Sequence, residues 1–297
     1  MTFATPSNWT NSEAGVASSS PSSTSSPAPR RKERLVKNGW HKKSEGSLHW
    51  FELAISDRLL VAFTTRKGGL SRPPYSSLNA SFDVGDLADH VTENRLRIRR
   101  SLHLRTLITL RQVHGDAVIP VCDYTTPPDL IEGDALVTSE PGLGMGIMVA
   151  DCLPVYIYAD DLRCAGVAHC GWRGTVRRVA EKLARTIMHR YSVRLADLRF
   201  AFGPCICPNC LTVGEDVWQA FRVSFPTPER FLPLTPDPDG RSTRLLDLRE
   251  ANRHLLRDLG LTEAGSLDAC SRENDDEFYS VRRERTTGRN LAVIALR

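Results

Sequence analysis

Three residues near the middle of the chain are of types that bind metals. They are His114 in the stretch QVHGD, Cys152 in ADCLPV and His169 in AHCGWRG. A thiolate and two imidazoles suit zinc, and three protein ligands leave a fourth tetrahedral position open for water or a substrate. Because cysteine and histidine also occur in buried cores, the residues alone leave two interpretations, a metal site and a well-packed core.

A second group of cysteines follows in the stretch PCICPNC, which contains Cys205, Cys207 and Cys210. This C-x-C-x-x-C spacing is compatible with zinc or an iron–sulfur cluster, but such sites take four ligands. The one cysteine further downstream is Cys270, which is distant in sequence. The spacing alone therefore favours thiols that bind no metal.

Three arginines occur where an anion would bind. Arg66 in TTRKGGL stands beside two glycines after an apolar run, and Arg173 lies in GWRG, between a strand pattern and a helix pattern. Arg283 belongs to the stretch SVRRERTTGR near the C-terminus, for which an exposed charged face is the alternative interpretation. Because guanidinium groups bind phosphate bidentately, we predict contacts to an anionic substrate from these residues.

The elements that position these residues alternate between strand and helix patterns. Apolar residues at helical spacing from Val176 to Tyr191 predict one long helix, with Thr175 as its N-cap. Asp160 and Asp161 indicate a hairpin turn. Short runs rich in Val, Ile, Leu and Ala predict buried strands at residues 59–65, 134–138, 147–150, 155–159, 164–169, 199–203 and 290–296.

Composition separates a tail from a body. Residues 16–29 are nearly all Ser, Thr, Pro and Ala, which bury too little apolar surface to fold. We therefore predict a disordered, basic tail over residues 1–45 and one domain over residues 46–297. The formal charge of +4 comes from the tail, which has seven Lys or Arg against three Glu. A neutral body argues against nucleic acid as a partner.

Several features of membrane and secreted proteins do not occur in the sequence. No apolar run has the length of a membrane-spanning helix, and the N-terminus has no hydrophobic signal-peptide segment. Eight cysteines in 297 residues do not form a secreted disulfide scaffold. We therefore expect a cytoplasmic protein with no membrane partner, and an organellar transit peptide in the Ser-rich tail is the alternative.

Six ordered motifs make the chain resemble the laccase-domain family, also called the YfiH or multicopper polyphenol oxidase family. The resemblance spans residue 61 to the C-terminus and excludes the tail. It implies an α+β fold, a single domain with four layers, α/β/β/α, built from mixed sheets. The motifs are TTRKGGLS with PPYSSLN, QVHGD, ADCLPV, AHCGWRGT, the GP of GPCICP, and EN followed by FYSVRRERTTGR.

The resemblance also implies one metal site, with His114, Cys152 and His169 as ligands and Zn²⁺ as the usual ion; Cu²⁺ is the alternative. The implied activities are phosphorolysis of adenosine, inosine and S-methyl-5'-thioadenosine, and deamination of adenosine. Purine nucleosides and phosphate are therefore the expected partners. The chain departs from the family at Cys170, which would add a thiol to the site, in the NAS that follows SSL, and in the extra cysteines of GPCICPNC.

This chemistry assigns roles to the predicted catalytic residues Asp151, Cys152 and Arg66. Phosphorolysis needs a phosphate directed at the anomeric carbon of the sugar, for which Arg66 and Arg283 are the predicted contacts. Deamination needs an activated water at the open position of the metal. Asp151 stands beside Cys152 and is predicted either to move protons or to support the ligand.

Other functions remain open from the sequence. A peptidoglycan-editing hydrolase would use Cys152 as nucleophile and His169 as base. A copper-dependent polyphenol oxidase needs several copper sites, whereas the sequence offers ligands for one ion. A binding module that has kept the fold without activity is the non-enzymatic alternative. The sequence leaves the oligomeric state undetermined, with a monomer favoured.

Overall fold

The computed structural model describes residues 39–122, 131–236 and 242–297. The helices among them are α1 Ala88–Ser101, α2 Trp172–Val176, α3 Val179–Tyr191, α4 Glu215–Ser224, α5 Leu248–Asp258 and α6 Val281–Glu284. The strands are β1 Trp40–Glu45, β2 Leu48–Leu53, β3 Leu59–Thr64, β4 Thr106–Ile108, β5 Val118–Pro120, β6 Ala135–Thr138, β7 Leu143–Val149, β8 Leu153–Ala159, β9 Ala165–Cys170, β10 Leu198–Phe202, β11 Thr212–Val213, β12 Leu234–Pro236, β13 Ser242–Leu245, β14 Thr262–Ser266 and β15 Asn290–Leu296.

Two six-stranded sheets form the centre of the fold. The strand order is β1-β2-β3-β15-β7-β4 in the first sheet and β14-β10-β8-β9-β6-β5 in the second. Both sheets are mixed, because β4 pairs with β7 in parallel in the first and β5 with β6 and β10 with β14 in parallel in the second. Strands β11, β13 and β12 form a separate small sheet, in the order β11-β13-β12, apart from the pairing of the two large sheets.

The second large sheet buries both of its faces, as the alternation of side chains on β8 shows. Val155 and Ile157 belong to an apolar cluster with α3, whereas Tyr156 and Tyr158 belong to the cluster between the two sheets. Successive side chains of a strand point to opposite faces, so a run of apolar residues fills two layers at once. The strand therefore needs no polar positions, and all seven of its residues are buried.

The first large sheet is covered in the same way. Phe63 of β3 packs in the cluster between the sheets, and its neighbour Ala62 packs on the other face in a cluster that includes Ile98 of α1. The layers are therefore helix, sheet, sheet and helix. This confirms the single-domain α+β fold with four layers, and buried strands occupy all seven of the predicted positions to within a few residues.

The chain differs from the predictions at two places. Residues 40–45 of the predicted tail form β1, which pairs with β2, and Trp40 is fully buried. Residues 1–38, including the Ser-rich stretch, lie outside the described residues. The predicted long helix is interrupted before α3, because Arg178 has a left-handed backbone (φ 60°). Thr175 consequently lies inside α2 and accepts a hydrogen bond from Asn252 instead of capping a helix.

None of the described helices is both long enough and apolar enough to cross a membrane.

Candidate metal centre and active site

An antiparallel hairpin brings Cys152 and His169 together. The strands β8 and β9 pair in antiparallel register, with Leu153 opposite Cys170 and Pro154 opposite His169. The predicted Asp160–Asp161 turn closes the far end of this hairpin. The residue before β8 and the penultimate residue of β9 therefore lie side by side at the open end, although 17 positions separate them in the sequence.

The third candidate ligand, His114, is held by a buried carboxylate. Strand β6 pairs with β9, and Asp134 immediately precedes β6, so its carbonyl accepts a hydrogen bond from the backbone N–H of His169 (2.7 Å). The Asp134 carboxylate accepts hydrogen bonds from the backbone N–H groups of Val113 (3.2 Å), His114 (3.1 Å) and Gly115 (2.6 Å). One side chain thus fixes the QVHG turn against the end of the hairpin.

The same carboxylate orients the imidazole of His169. Asp134 Oδ1 lies 2.8 Å from His169 Nδ1, and both side chains are almost completely buried. This hydrogen bond leaves Nε2 of His169 as the nitrogen available to a metal, an arrangement in which a carboxylate fixes the tautomer of the ligand. The site was predicted from its three ligands, but Asp134 was not singled out, since an acidic residue before a strand has no distinctive spacing.

The three side chains fit a zinc ion. Their ligand atoms all lie within 4.8 Å of one another, and the rings of His114 and His169 meet edge to face with centroids 4.9 Å apart. Gly171 leaves room for the thiolate, because a Cβ there would lie 2.8 Å from Cys152 Sγ. His114 is exposed, so the fourth position of a tetrahedral ion would face solvent.

The electrostatics of the cluster favour a thiolate. Burial raises the pKa of Cys152, but the charge and hydrogen bond of His169 and the hydrogen bond from His114 outweigh it and lower this pKa to about 6. Burial lowers the pKa of His169, but Cys152 and Asp134 outweigh it and raise this pKa to about 9. Asp134, despite its burial, has a lowered pKa because His169 and backbone N–H groups donate to it. The group can therefore hold a metal or act as an ion pair.

Asp151 occupies a left-handed turn (φ 93°) beside the thiolate. Its two carboxylate oxygens accept hydrogen bonds from Ser271 Oγ and from the backbone N–H of Arg282, both at 2.7 Å. Its carbonyl accepts a hydrogen bond from the N–H of Ile206 (2.9 Å). These contacts give Asp151 a supporting position, in which it ties Cys152 to two segments that are distant in sequence.

Two of the predicted anion-binding arginines are engaged within the protein. The guanidinium of Arg283 uses all five of its N–H groups, on the carbonyls of Ser271, Arg272 and Phe278 and twice on Glu284. This leaves Arg283 no donor for a phosphate.

Arg66 donates from Nε and Nη1 to the carbonyls of Ser76 and Asp275 and to Glu284, and stacks over Tyr279. Among the described residues, only its Nη2 has no acceptor. The carboxylate of Glu284, 2.7 Å from Nη1, also disfavours a second anion beside it.

Among the described residues, two other arginines donate fewer hydrogen bonds within the protein. Arg289 is desolvated, which lowers its pKa, and it interacts electrostatically with Cys152 and Asp151. It donates from Nη1 to the carbonyls of Thr287 and Gly288, and its Nε and Nη2 have no acceptor in the described part of the chain. The exposed Arg173 stacks on Trp172, with its guanidinium carbon 4.2 Å from the ring centroid.

Cys170 does not join the metal centre. It is fully buried and belongs to the apolar cluster between the second sheet and its helices. His169 and Cys170 are consecutive on β9, so their side chains point to opposite faces of the sheet. The thiol that the sequence placed next to a ligand is therefore a core residue.

Residues 60–297 match the profile of the family described as multi-copper polyphenol oxidoreductase laccase. The chain belongs to this family. The match confirms the resemblance seen in the motifs and includes every residue of the metal centre.

Three relatives of this laccase-domain chain are informative. The purine nucleoside phosphorylase of Deinococcus radiodurans is 39% identical over 238 residues, which cover 79% of this chain and 88% of that protein. A protein named adenosine deaminase RL5, from an unknown prokaryotic organism, is 33% identical over 248 residues, covering 80% and 93%. The crystal structure of the Bacillus licheniformis protein YfiH has a TM-score of 0.80 at 29% identity and covers 88% of this chain and 100% of that one.

Proposed function

We propose that the protein is a zinc-dependent purine nucleoside phosphorylase that acts on adenosine, inosine and S-methyl-5'-thioadenosine and also deaminates adenosine. The observation that carries the proposal is the convergence of His114, Cys152 and His169 at a position open to solvent. It is supported by similarity to relatives that bear the names purine nucleoside phosphorylase and adenosine deaminase.

Hydrogen bonds within the chain orient the proposed metal ligands. When bound, a zinc ion supplies a Lewis acid with one open coordination position. Asp134 holds His169 in the tautomer that offers Nε2, and the same carboxylate fixes the backbone of His114. Asp151, the residue before the proposed ligand Cys152, is fixed by the hydrogen bonds that its carboxylate accepts from Ser271 Oγ and the backbone N–H of Arg282. We assign Asp151 this supporting role in place of proton transfer.

In phosphorolysis, a phosphate oxygen forms a bond to the anomeric carbon, the bond from that carbon to the purine nitrogen breaks, and the base leaves with the electron pair and gains a proton. We propose that the phosphate lies close to the metal centre. Arg289 has a desolvated guanidinium, two nitrogens without acceptors among the described residues and an electrostatic interaction with Cys152. We therefore propose Arg289 as the main phosphate contact, with Arg173 as a further contact, and we withdraw Arg66 because Glu284 already pairs with its guanidinium.

The Arg289→Gln variant tests this assignment. Loss of one charge-assisted phosphate contact costs about 1.5–3 kcal/mol, so we expect the half-saturating phosphate concentration to rise about ten- to a hundredfold. Deamination uses water, so its rate and the metal content should stay near those of the wild type. The exposed Arg285 provides the matched control in Arg285→Gln. An unchanged phosphate requirement in Arg289→Gln would remove Arg289 from the site, and an equal loss of both activities would assign it to nucleoside binding.

A peptidoglycan hydrolase is a second candidate, because the Cys152–His169 pair is also a possible nucleophile and base. The pKa of about 6 for Cys152 and the orienting carboxylate of Asp134 favour this chemistry. Chelation separates the two functions. We expect removal of zinc to abolish nucleoside phosphorolysis and readdition of zinc to restore it, whereas a thiolate nucleophile would keep its activity, or gain some, without the metal.

A further inference from the structure

We propose that the chain contains a second zinc site, formed by Cys207, Cys210, Cys270 and Glu273. Their ligand atoms all lie within 4.8 Å of one another. The group joins two short stretches, C-x-x-C at residues 207–210 and C-x-x-E at residues 270–273, which are 60 positions apart in the sequence. Four protein ligands close the coordination shell of zinc, so this site would be structural.

The two distances from the Glu273 carboxylate to the sulfurs of the C-x-x-C stretch match tetrahedral coordination. Glu273 Oε1 lies 3.6 Å from Cys207 Sγ and 3.5 Å from Cys210 Sγ. A zinc ion with a sulfur at 2.3 Å and an oxygen at about 2.0 Å separates the two by about 3.5 Å when the angle is tetrahedral. S–H···O hydrogen bonds would give the same distances, so the deciding measurement is the bound metal.

Backbone hydrogen bonds hold the proposed ligands of the two stretches close together. In the first stretch, a single 3-10 turn, Pro208–Cys210, brings Cys207 and Cys210 to the same side, with the N–H of Cys210 donating to the carbonyl of Cys207 (3.0 Å). In the second, the N–H of Asn274 donates to the carbonyl of Cys270 (3.1 Å). The two stretches contact directly, because the N–H of Cys207 donates to Cys270 Sγ (3.3 Å).

Neighbouring backbone contacts fix the two stretches relative to each other without a metal. A β-bridge joins Cys205 to Cys270, and the N–H of Ser271 donates to the carbonyl of Cys205 (3.1 Å). Ser271, the residue after a proposed ligand, also donates from Oγ to Asp151. A zinc ion here would therefore stiffen the segment that holds Asp151 beside Cys152, while it remains separate from the open site.

Metal analysis of purified full-length protein, prepared under reducing conditions and loaded with zinc, tests the proposal. We expect about two zinc ions per chain in the wild type and about one in each of Cys207→Ser, Glu273→Gln and Cys152→Ser. The double variant Cys152→Ser/Cys207→Ser should bind close to none. Cys122, an exposed cysteine outside both groups, provides the control, and Cys122→Ser should bind two.

A second measurement needs no variant at the cluster. Alkylation followed by peptide mass analysis should show Cys207, Cys210 and Cys270 protected in the zinc-loaded wild type and modified after chelation, with Cys122 modified in both. Three results would overturn the proposal: a zinc content that Cys207→Ser does not lower, iron with inorganic sulfide in place of zinc, or a disulfide among the three cysteines under reducing conditions.

Discussion

Asp134 connects the QVHG turn to His169 through its carboxylate and its carbonyl. Its carboxylate receives three backbone N–H groups of the QVHG turn and the imidazole of His169, and its carbonyl receives the N–H of His169. A buried carboxylate is stable only when its charge is compensated, and here the donors lower its pKa despite burial. The residue therefore contributes both to the orientation of the ligand and to the folding of the turn.

The Asp134→Asn variant should bind zinc about ten- to a hundredfold more weakly at the first site, because the amide no longer provides a charged acceptor for His169 Nδ1. An asparagine also has one acceptor oxygen for bonds that two oxygens now receive, so the thermal midpoint should fall. Competition with a chromophoric chelator measures the affinity. Asp160→Asn, at the far end of the hairpin, should leave the affinity unchanged. Equal affinities in the two variants would contradict the role of Asp134.

Zinc binding at the first site should release about one proton per ion between about pH 6 and about pH 9. Cys152 is a thiolate above its pKa of about 6, and His169 keeps its second proton below its pKa of about 9. Coordination requires a thiolate and a neutral imidazole, so the proton on His169 Nε2 must leave. The apparent affinity should therefore rise about tenfold per pH unit in this range.

Calorimetry in two buffers with different ionisation enthalpies measures that proton. The Cys207→Ser variant is used, so that the second proposed site does not contribute. Release of no proton in this range would show that His169 is already neutral in the metal-free protein.

At the scale of elements, the strands were predictable and the contacts between them were less so. Buried runs such as LPVYIYA have few alternatives to a central strand, because both faces of the sheet are covered. The antiparallel pairing that juxtaposes Cys152 and His169 is local, and the Asp160–Asp161 turn indicated it from the sequence. The approach of His114 to this pair is non-local, and it entered the sequence analysis through the family resemblance. The left-handed Arg178, which separates α2 from α3, was missed because the helical spacing of apolar residues continues across it.

Contacts between segments that are distant in sequence also could not be predicted for the arginines and the cysteines. Sequence context identified the segments that surround the site, but it could not show that Glu284 and nearby carbonyls occupy the donors of Arg283. Nor could it bring Cys270 and Glu273 to the C-x-x-C stretch, since that proximity depends on one β-bridge between distant segments.

Gly171 marks the closest approach of two elements at the site. It has an extended backbone (φ −69°, ψ 177°) and begins α2, so its conformation does not require glycine. A Cβ would lie 2.8 Å from Cys152 Sγ, however, and the sulfur is fixed at the start of β8. We expect Gly171→Ala to displace the sulfur and to reduce zinc occupancy of the first site severalfold with little change in secondary structure.

Gly214 provides a matched control for this substitution. It also precedes a helix with an extended backbone, and a Cβ there would meet only the flexible carboxylate of Asp216 at 2.9 Å. Gly214→Ala should keep full zinc occupancy. A Gly171→Ala protein with wild-type occupancy would show that the thiolate can move without loss of the metal.

At the scale of the whole molecule, the layer between the two sheets extends beyond the region that matches the family. The family match begins at residue 60, whereas β1 and β2 precede it and add two strands to one edge of the first sheet. Trp40 of β1 is fully buried in the layer between the sheets, where its ring centroid lies 6.1 Å from that of Tyr156. This strand was not predicted from the sequence, because the composition of the upstream Ser-rich stretch led to the assignment of residues 1–45 to the tail.

Two truncations test where the folded body begins. A chain that starts at residue 39 keeps β1, and we expect its thermal melt to overlay that of the full chain. A chain that starts at residue 47 loses β1 and Trp40, and loss of a buried tryptophan side chain costs about 3–5 kcal/mol. At about 2–4 °C per kcal/mol for a domain of this size, its midpoint should fall by roughly 6–20 °C. Trp40→Ala in the full chain should reproduce much of this fall. A melt unchanged by the second truncation would mean that β1 contributes no stability, whereas a lower midpoint in the first would assign a stabilising contact to residues 1–38.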